Sequence, residues 1–121
     1  MFNDIVIDHF QNPRNAGEFE RANARVEVTN PVCGDMLRLS ARIDGGCVAE
    51  VRFKTQGCVA SIAASSVLTE LLAGRSKEQA VEITAAIISD SLGGLPPATF
   101  HAAQLCVDAI AALTKKFPAG A

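Results

Sequence analysis

Cys33, Asp35, Cys58 and His101 are the residues in this 121-residue chain whose types suit metal or sulfur chemistry. Thiolates and imidazoles hold soft and borderline metals, and a carboxylate adds a harder, weaker oxygen donor. Cys33 and Asp35 flank Gly34, which can take a positive φ and fold the backbone tightly between them, just after the stiff Pro31. Cys58 follows Gly57 and opens a helical run, where the helix dipole favours negative charge on sulfur. His101 stands at a second helix start, after Pro96-Pro97. Two thiols, a carboxylate and an imidazole suit zinc or an iron–sulfur cluster. No Cys-x-x-Cys pair is present and the intervals are irregular. On residue types and topology alone, a metal site and an ordinary set of turn and cap residues remain equally open.

The elements that must position these residues are legible from pattern. Residues 3–10 read as a short helix with Asn3 or Asp4 as N-cap, placing Phe2, Ile5, Val6 and His9 on one face. Residues 24–29 alternate as a strand. In residues 36–43, Leu37, Leu39, Ala41 and Ile43 share one face. Asp44-Gly45-Gly46 signals a hairpin, and residues 47–54 form the return strand with Cys47, Ala49, Val51 and Phe53 expected inward. A helix follows over about 59–73, stopped by Gly74. Ser76-Lys77-Glu78-Gln79 resembles a capping box for a helix through about Glu82, and residues 84–91 form another. After Gly93-Gly94-Leu95-Pro96-Pro97 a last helix runs over about 99–116, with Ala102, Leu105, Cys106, Ala109, Ile110 and Leu113 on its buried stripe. Strands first and helices afterwards predict an α+β fold: a small three-stranded antiparallel sheet with helices packed mainly on one face.

That hairpin carries a consequence. The strand leaving Cys33 and Asp35 and the strand returning to Cys58 are about equal in length, so the three residues should meet at one end of the sheet. Cys47 reads as core. Cys106 reads mainly as core, with redox or ligand duty as the other reading. Ala60, Ser61, Ala63 and Ala64 keep the first turns beside Cys58 small and leave space by the thiol.

Bulk properties set the outer bounds. The length fits one domain, residues 1–121, and 49% hydrophobic residues argue against disorder. A net charge of −2, no basic cluster beyond Lys115-Lys116, and no Trp or Tyr make nucleic acid a poor partner. No signal segment or membrane span is visible, which predicts a cytoplasmic, reduced protein whose four cysteines are free.

Asn30-Pro31-Val32-Cys33-Gly34-Asp35 resembles the first cysteine motif of the IscU/NifU family of iron–sulfur assembly scaffolds. Phe53-Lys54-Thr55-Gln56-Gly57-Cys58 with the Ala/Ser run 60–66 resembles the second. Leu95-Pro96-Pro97 leading to His101 resembles the approach to the third, and Asp8-His9-Phe10-Gln11-Asn12-Pro13-Arg14-Asn15 looks like the N-terminal signature. The resemblance covers nearly the whole chain and implies a SufE/NifU-like fold. It implies a non-enzymatic scaffold or carrier that takes sulfur from a cysteine desulfurase. Such a scaffold assembles a [2Fe–2S] cluster or holds iron, with zinc as another occupant, and hands its cargo to acceptor proteins. It implies ligand roles for Cys33, Asp35, Cys58 and His101. The family places its third cysteine directly after the histidine, where this chain has Ala102. Cys106, one turn on, is the nearest substitute thiol. The chaperone-docking run Leu-Pro-Pro-Val-Lys is here Leu95-Pro96-Pro97-Ala98-Thr99, which removes its basic residue. The rival reading is a degenerate zinc-binding homologue that serves as an interaction module or sulfur-transfer partner of a desulfurase.

Overall fold

In the computed structural model, which describes residues 2–117, the elements run α1 (Asp4–Gln11), β1 (Ala24–Thr29), β2 (Met36–Asp44), β3 (Cys47–Gln56), α2 (Val59–Leu72), α3 (Lys77–Ala80), α4 (Ala85–Ser91), a 3₁₀ turn (Pro97–Thr99) and α5 (His101–Thr114). The three strands form one antiparallel sheet in the order β1-β2-β3. The α+β architecture expected from the sequence is the one observed. Asp44 and Cys47 pair across Gly45 and Gly46, whose φ of 61° and 79° are those of a tight two-residue hairpin.

The inward face of β2 is as the alternation predicts: Leu37, Leu39, Ala41 and Ile43 are all buried. The start of β3 is not. Arg42 pairs with Glu50 but Ile43 pairs with Val48, so Ala49 is an extra residue on β3. This bulge reverses the side-chain alternation at its site. Val48 is therefore wholly buried, while Ala49 is exposed and Cys47 only partly covered. Cys47 is a half-exposed free thiol rather than a core residue.

Helix α2 is the centre of the molecule. It packs on α1, β3, α5 and α4, and Ala60, Ser61, Ala63, Ala64, Ser65 and Ser66 are all buried. Their small side chains let these neighbours pack closely. α5 lies over β1 and β2. Its expected stripe of Ala102, Leu105, Cys106, Ala109, Ile110 and Leu113 is buried throughout. It begins later than expected because the chain first makes the 3₁₀ turn at Pro97. The Ser76–Gln79 capping box is present, but its helix ends at Ala80.

α1 is capped by the side chain of Asn3, which accepts from the amide of Val6. Val6 and His9 are buried against the molecule, whereas Ile5 stays 46% exposed, so the covered strip is narrower than the sequence suggests. His9 Nδ1 lies 2.8 Å from Ser66 Oγ, and Ser66 also accepts from the Arg14 amide. Burial, aided by the positive charge of Arg14, lowers the pKa of His9 below its ordinary 6.5, against the opposing pull of Glu70 and Asp8. Below pH 6.5 the unfolded chain therefore binds a proton that the folded chain resists. Stability should be flat above pH 6.5 and fall as pH drops below it. In His9→Gln the part of that fall above pH 5 should shrink, read from urea midpoints at pH 7.5, 6 and 5.

Candidate metal centre

β2, which leaves the Cys33 loop, and β3, which runs back beside it to Gly57-Cys58, hold the site. Met36 pairs with Gln56, so the residue before β2 and the residues after β3 lie at one end of the sheet. The Cys33 loop is pinned by Asn30, whose side-chain oxygen accepts from the amides of Val32 and Cys33. Its carbonyl accepts from Gly34, which sits at φ 78°. That φ is open to glycine and strained for most other residues.

Cys58 is the N-cap residue of α2, with its thiol exposed rather than bonded into the cap. His101 is the first residue of α5. The two helix starts converge: Cys58 Sγ lies 3.9 Å from His101 Nε2. His101 Nε2 is in turn 3.7 Å from Asp35 Oδ2. One donor atom each from Cys33, Asp35 and His101 lies within 4.8 Å of the others. Cys58 is not part of that triple but borders it through His101.

Ligands about 2.0–2.3 Å from a tetrahedral ion stand about 3.3–3.8 Å apart. The 3.7 Å pair lies in that range and the 3.9 Å pair just outside it, while the donors gathered within 4.8 Å must draw in to share one ion. Donor chemistry agrees: sulfur and nitrogen for a borderline metal, with one carboxylate oxygen. Asp35 is largely buried, its side chain 12% exposed. Burial pushes its pKa upward. Hydrogen bonds from the Ser61 hydroxyl and the Cys58 amide, with the thiols of Cys58 and Cys33, outweigh burial and hold the carboxyl below its usual value. Asp35 is thus an anion at neutral pH, as a metal donor must be.

Two residues that shape the site are not singled out as site residues by the one-dimensional reading. Ser61 donates to Asp35 Oδ2 at 2.5 Å and lies 3.5 Å from Cys58 Sγ. Gly57 faces Asp35 so closely that a Cβ there would stand 2.6 Å from its Cγ. In sequence, Ser61 is one small residue among many in an Ala/Ser-rich run, and Gly57 looks like a strand terminator.

Ala102 is wholly buried beside His101. Cys106 is also wholly buried, and desolvation pushes its thiol pKa far above the ordinary value. Burial of that kind disfavours the thiolate that metal binding and sulfur transfer both need. Cys106→Ala should leave metal affinity within about twofold of the parent, since distant sites act independently. It should lower stability by about 1 kcal/mol, by loss of buried volume. Chelator competition and a urea titration would check the two parts.

A small antiparallel sheet with helices, and a cluster of sulfur, nitrogen and oxygen donors at its loop end, describe a small α+β protein that gathers the donor types soft and borderline metals take. The chain belongs to the NifU-like N terminal domain family, whose model matches residues 1–121. It is 42% identical over 110 residues to an iron–sulfur cluster assembly scaffold protein IscU of Archaeoglobus fulgidus, covering 91% of this chain and 72% of that protein. It is 38% identical over 118 residues to the scaffold protein IscU of Aquifex aeolicus, covering 96% and 75%. Its fold matches the crystal structure of a nitrogen-fixing NifU-like protein (N-terminal) from Brucella abortus with a TM-score of 0.76, at 17% identity over 98% of this chain and 95% of that one. Among the described residues no helix is long and apolar enough to cross a membrane.

Proposed function

We propose that this chain is a scaffold for iron–sulfur cluster assembly, working as one domain in the cytoplasm. It receives iron and sulfur, the sulfur from a cysteine desulfurase, and releases a [2Fe–2S] cluster to acceptor proteins. The cluster is its cargo, and the chain needs no turnover chemistry of its own. Cys33 and Cys58 supply thiolates, and Asp35 and His101 supply the oxygen and nitrogen donors. A carboxylate grips iron less firmly than a further thiolate would, which suits a cluster meant to leave. The observation that carries the reading is the meeting of Cys33, Asp35 and His101 donor atoms within 4.8 Å, in a chain 42% identical to a named scaffold. Docking of a dedicated chaperone is not part of the proposal, because Ala98 and Thr99 replace the residues expected after Leu95-Pro96-Pro97.

One observation favours a second reading. With Ala102 beside His101, the donor set is two thiolates, one carboxylate and one imidazole, a complete tetrahedral set for zinc. In that case the chain is a zinc-holding partner of a desulfurase. Anaerobic reconstitution with ferric iron and sulfide separates the two. A scaffold shows the visible absorption and Mössbauer signature of a [2Fe–2S] centre, lost in Cys33→Ala. A chain that purifies with one zinc and takes up no cluster after its removal overturns the scaffold reading.

A further inference from the structure

Asp35 is seated more elaborately than a free ligand would be. Its Oδ2 accepts from the Ser61 hydroxyl at 2.5 Å and from the Cys58 backbone amide at 3.4 Å. The missing side chain at Gly57 makes room for its Cγ. No described hydrogen bond to Oδ1 comes from a protein nitrogen or hydroxyl.

Ser61 is not where chance would bond it. It is wholly buried in the first turn of α2, and a buried hydroxyl without a partner is costly. The usual partner for a serine in a helix is its own backbone. Ser65 behaves that way, donating to the carbonyl of Ser61 at 2.7 Å. Ser61 instead reaches across to the Cys33 loop, bonding a residue 26 positions earlier in the chain. Its hydroxyl also lies 3.5 Å from Cys58 Sγ, so one side chain touches a carboxylate and a thiol of the candidate centre.

We propose that Ser61 is the positioning residue of this centre. It grips Oδ2, so that the Asp35 carboxylate is held in one orientation by α2 before a metal binds. This deepens the metal-holding reading above and rests on it. Holding the carboxylate before the metal arrives removes the cost of ordering it at binding. Outer-shell partners of this kind orient ligands and set affinity in metal sites generally.

The test uses cobalt(II) as the probe, with affinity measured by chelator competition and geometry by the ligand-field spectrum. Parent, Ser61→Ala, Ser61→Thr, Asp35→Ala and the Ser61→Ala/Asp35→Ala double variant are compared, each first checked for folding by its thermal melt. Ser61→Ala should bind cobalt about 10–100-fold more weakly, and Ser61→Thr, which keeps the hydroxyl, should recover most of that loss. In the Asp35→Ala background, removing Ser61 should change affinity by less than about twofold, because the group it positions is gone. Ser61→Ala within about twofold of the parent, or an equal loss with and without Asp35, overturns the positioning role. Should threonine prove too large for the buried site, the double-variant comparison still decides. A parent that takes up no cobalt at a single saturable site overturns the metal-centre reading itself, a result distinct from an unaffected Ser61→Ala.

Discussion

Gly57→Ala should abolish tight metal binding while leaving the fold intact. A Cβ at this position would lie 2.6 Å from Asp35 Cγ, 2.8 Å from its Oδ2 and 3.0 Å from its Cβ. Contacts that short do not persist, so something must move. Gly57 is exposed, and what it meets is a side chain rather than the sheet or helix backbone. Asp35 therefore rotates away, leaving Ser61 and the Cys58 amide without their acceptor. The affinity loss should be at least about 100-fold, the upper end of what an outer-shell defect costs, because a donor itself is displaced. Stability should change by no more than about 1–2 kcal/mol: a short side-chain contact is relieved, and one buried hydroxyl loses its partner. The check pairs cobalt or zinc affinity with a thermal melt of the metal-free protein. A melt collapsed along with affinity would instead make Gly57 a folding residue. Unchanged affinity would mean that the seat accommodates the methyl group and that Asp35 is not held as tightly as the distances imply.

The meeting of distant residues at this end of the sheet followed from simple geometry. Strands of near-equal length around a two-residue hairpin return the chain to its start, and the Met36–Gln56 pairing is that return. Alternation also served well on β2, where polar and apolar residues take turns cleanly. It failed at the start of β3, because Cys47, Val48 and Ala49, ahead of Glu50, offer no charged residue to fix the phase. Nothing in that run says that Ala49 is inserted, and the bulge reassigns Cys47 and Val48 together. The direction of α5 is a further case. Periodicity gives its buried stripe, and the Pro-Pro run gives its start. That its first residue lands 3.9 Å from Cys58 depends on how α5 packs across α2, β1 and β2, which no local pattern encodes. Ser61 was the least legible of all. A buried serine in a small-residue helix is ordinary until its acceptor is seen to come from a loop 26 residues earlier.

Ala102→Cys should produce the opposite change, a gain. Ala102 directly follows His101, and the start of α5 already brings the imidazole within 3.7–3.9 Å of Asp35 and Cys58. A thiol added there stands one residue from that imidazole, whereas Cys106 is a full turn deeper, wholly buried and held in its neutral form. The new sulfur enters a wholly covered position, so the metal-free variant should lose about 1–3 kcal/mol, as overpacked sites do. In the loaded protein that loss is offset, because binding to the folded state adds stability in proportion to the logarithm of ligand over Kd. Three thiolates in place of two should tighten cobalt or zinc by more than the about tenfold that an outer-shell partner commands. They should also raise the sulfur-to-cobalt charge-transfer absorption and lengthen the lifetime of a reconstituted cluster. Metal affinity and cluster lifetime, measured side by side on parent and variant, decide the point. If both rise, the chain is a scaffold working one thiolate short, its cargo correspondingly easier to release. If neither moves, the side chain at 102 points away from the donors, and the parent set of Cys33, Asp35, Cys58 and His101 is complete as it stands.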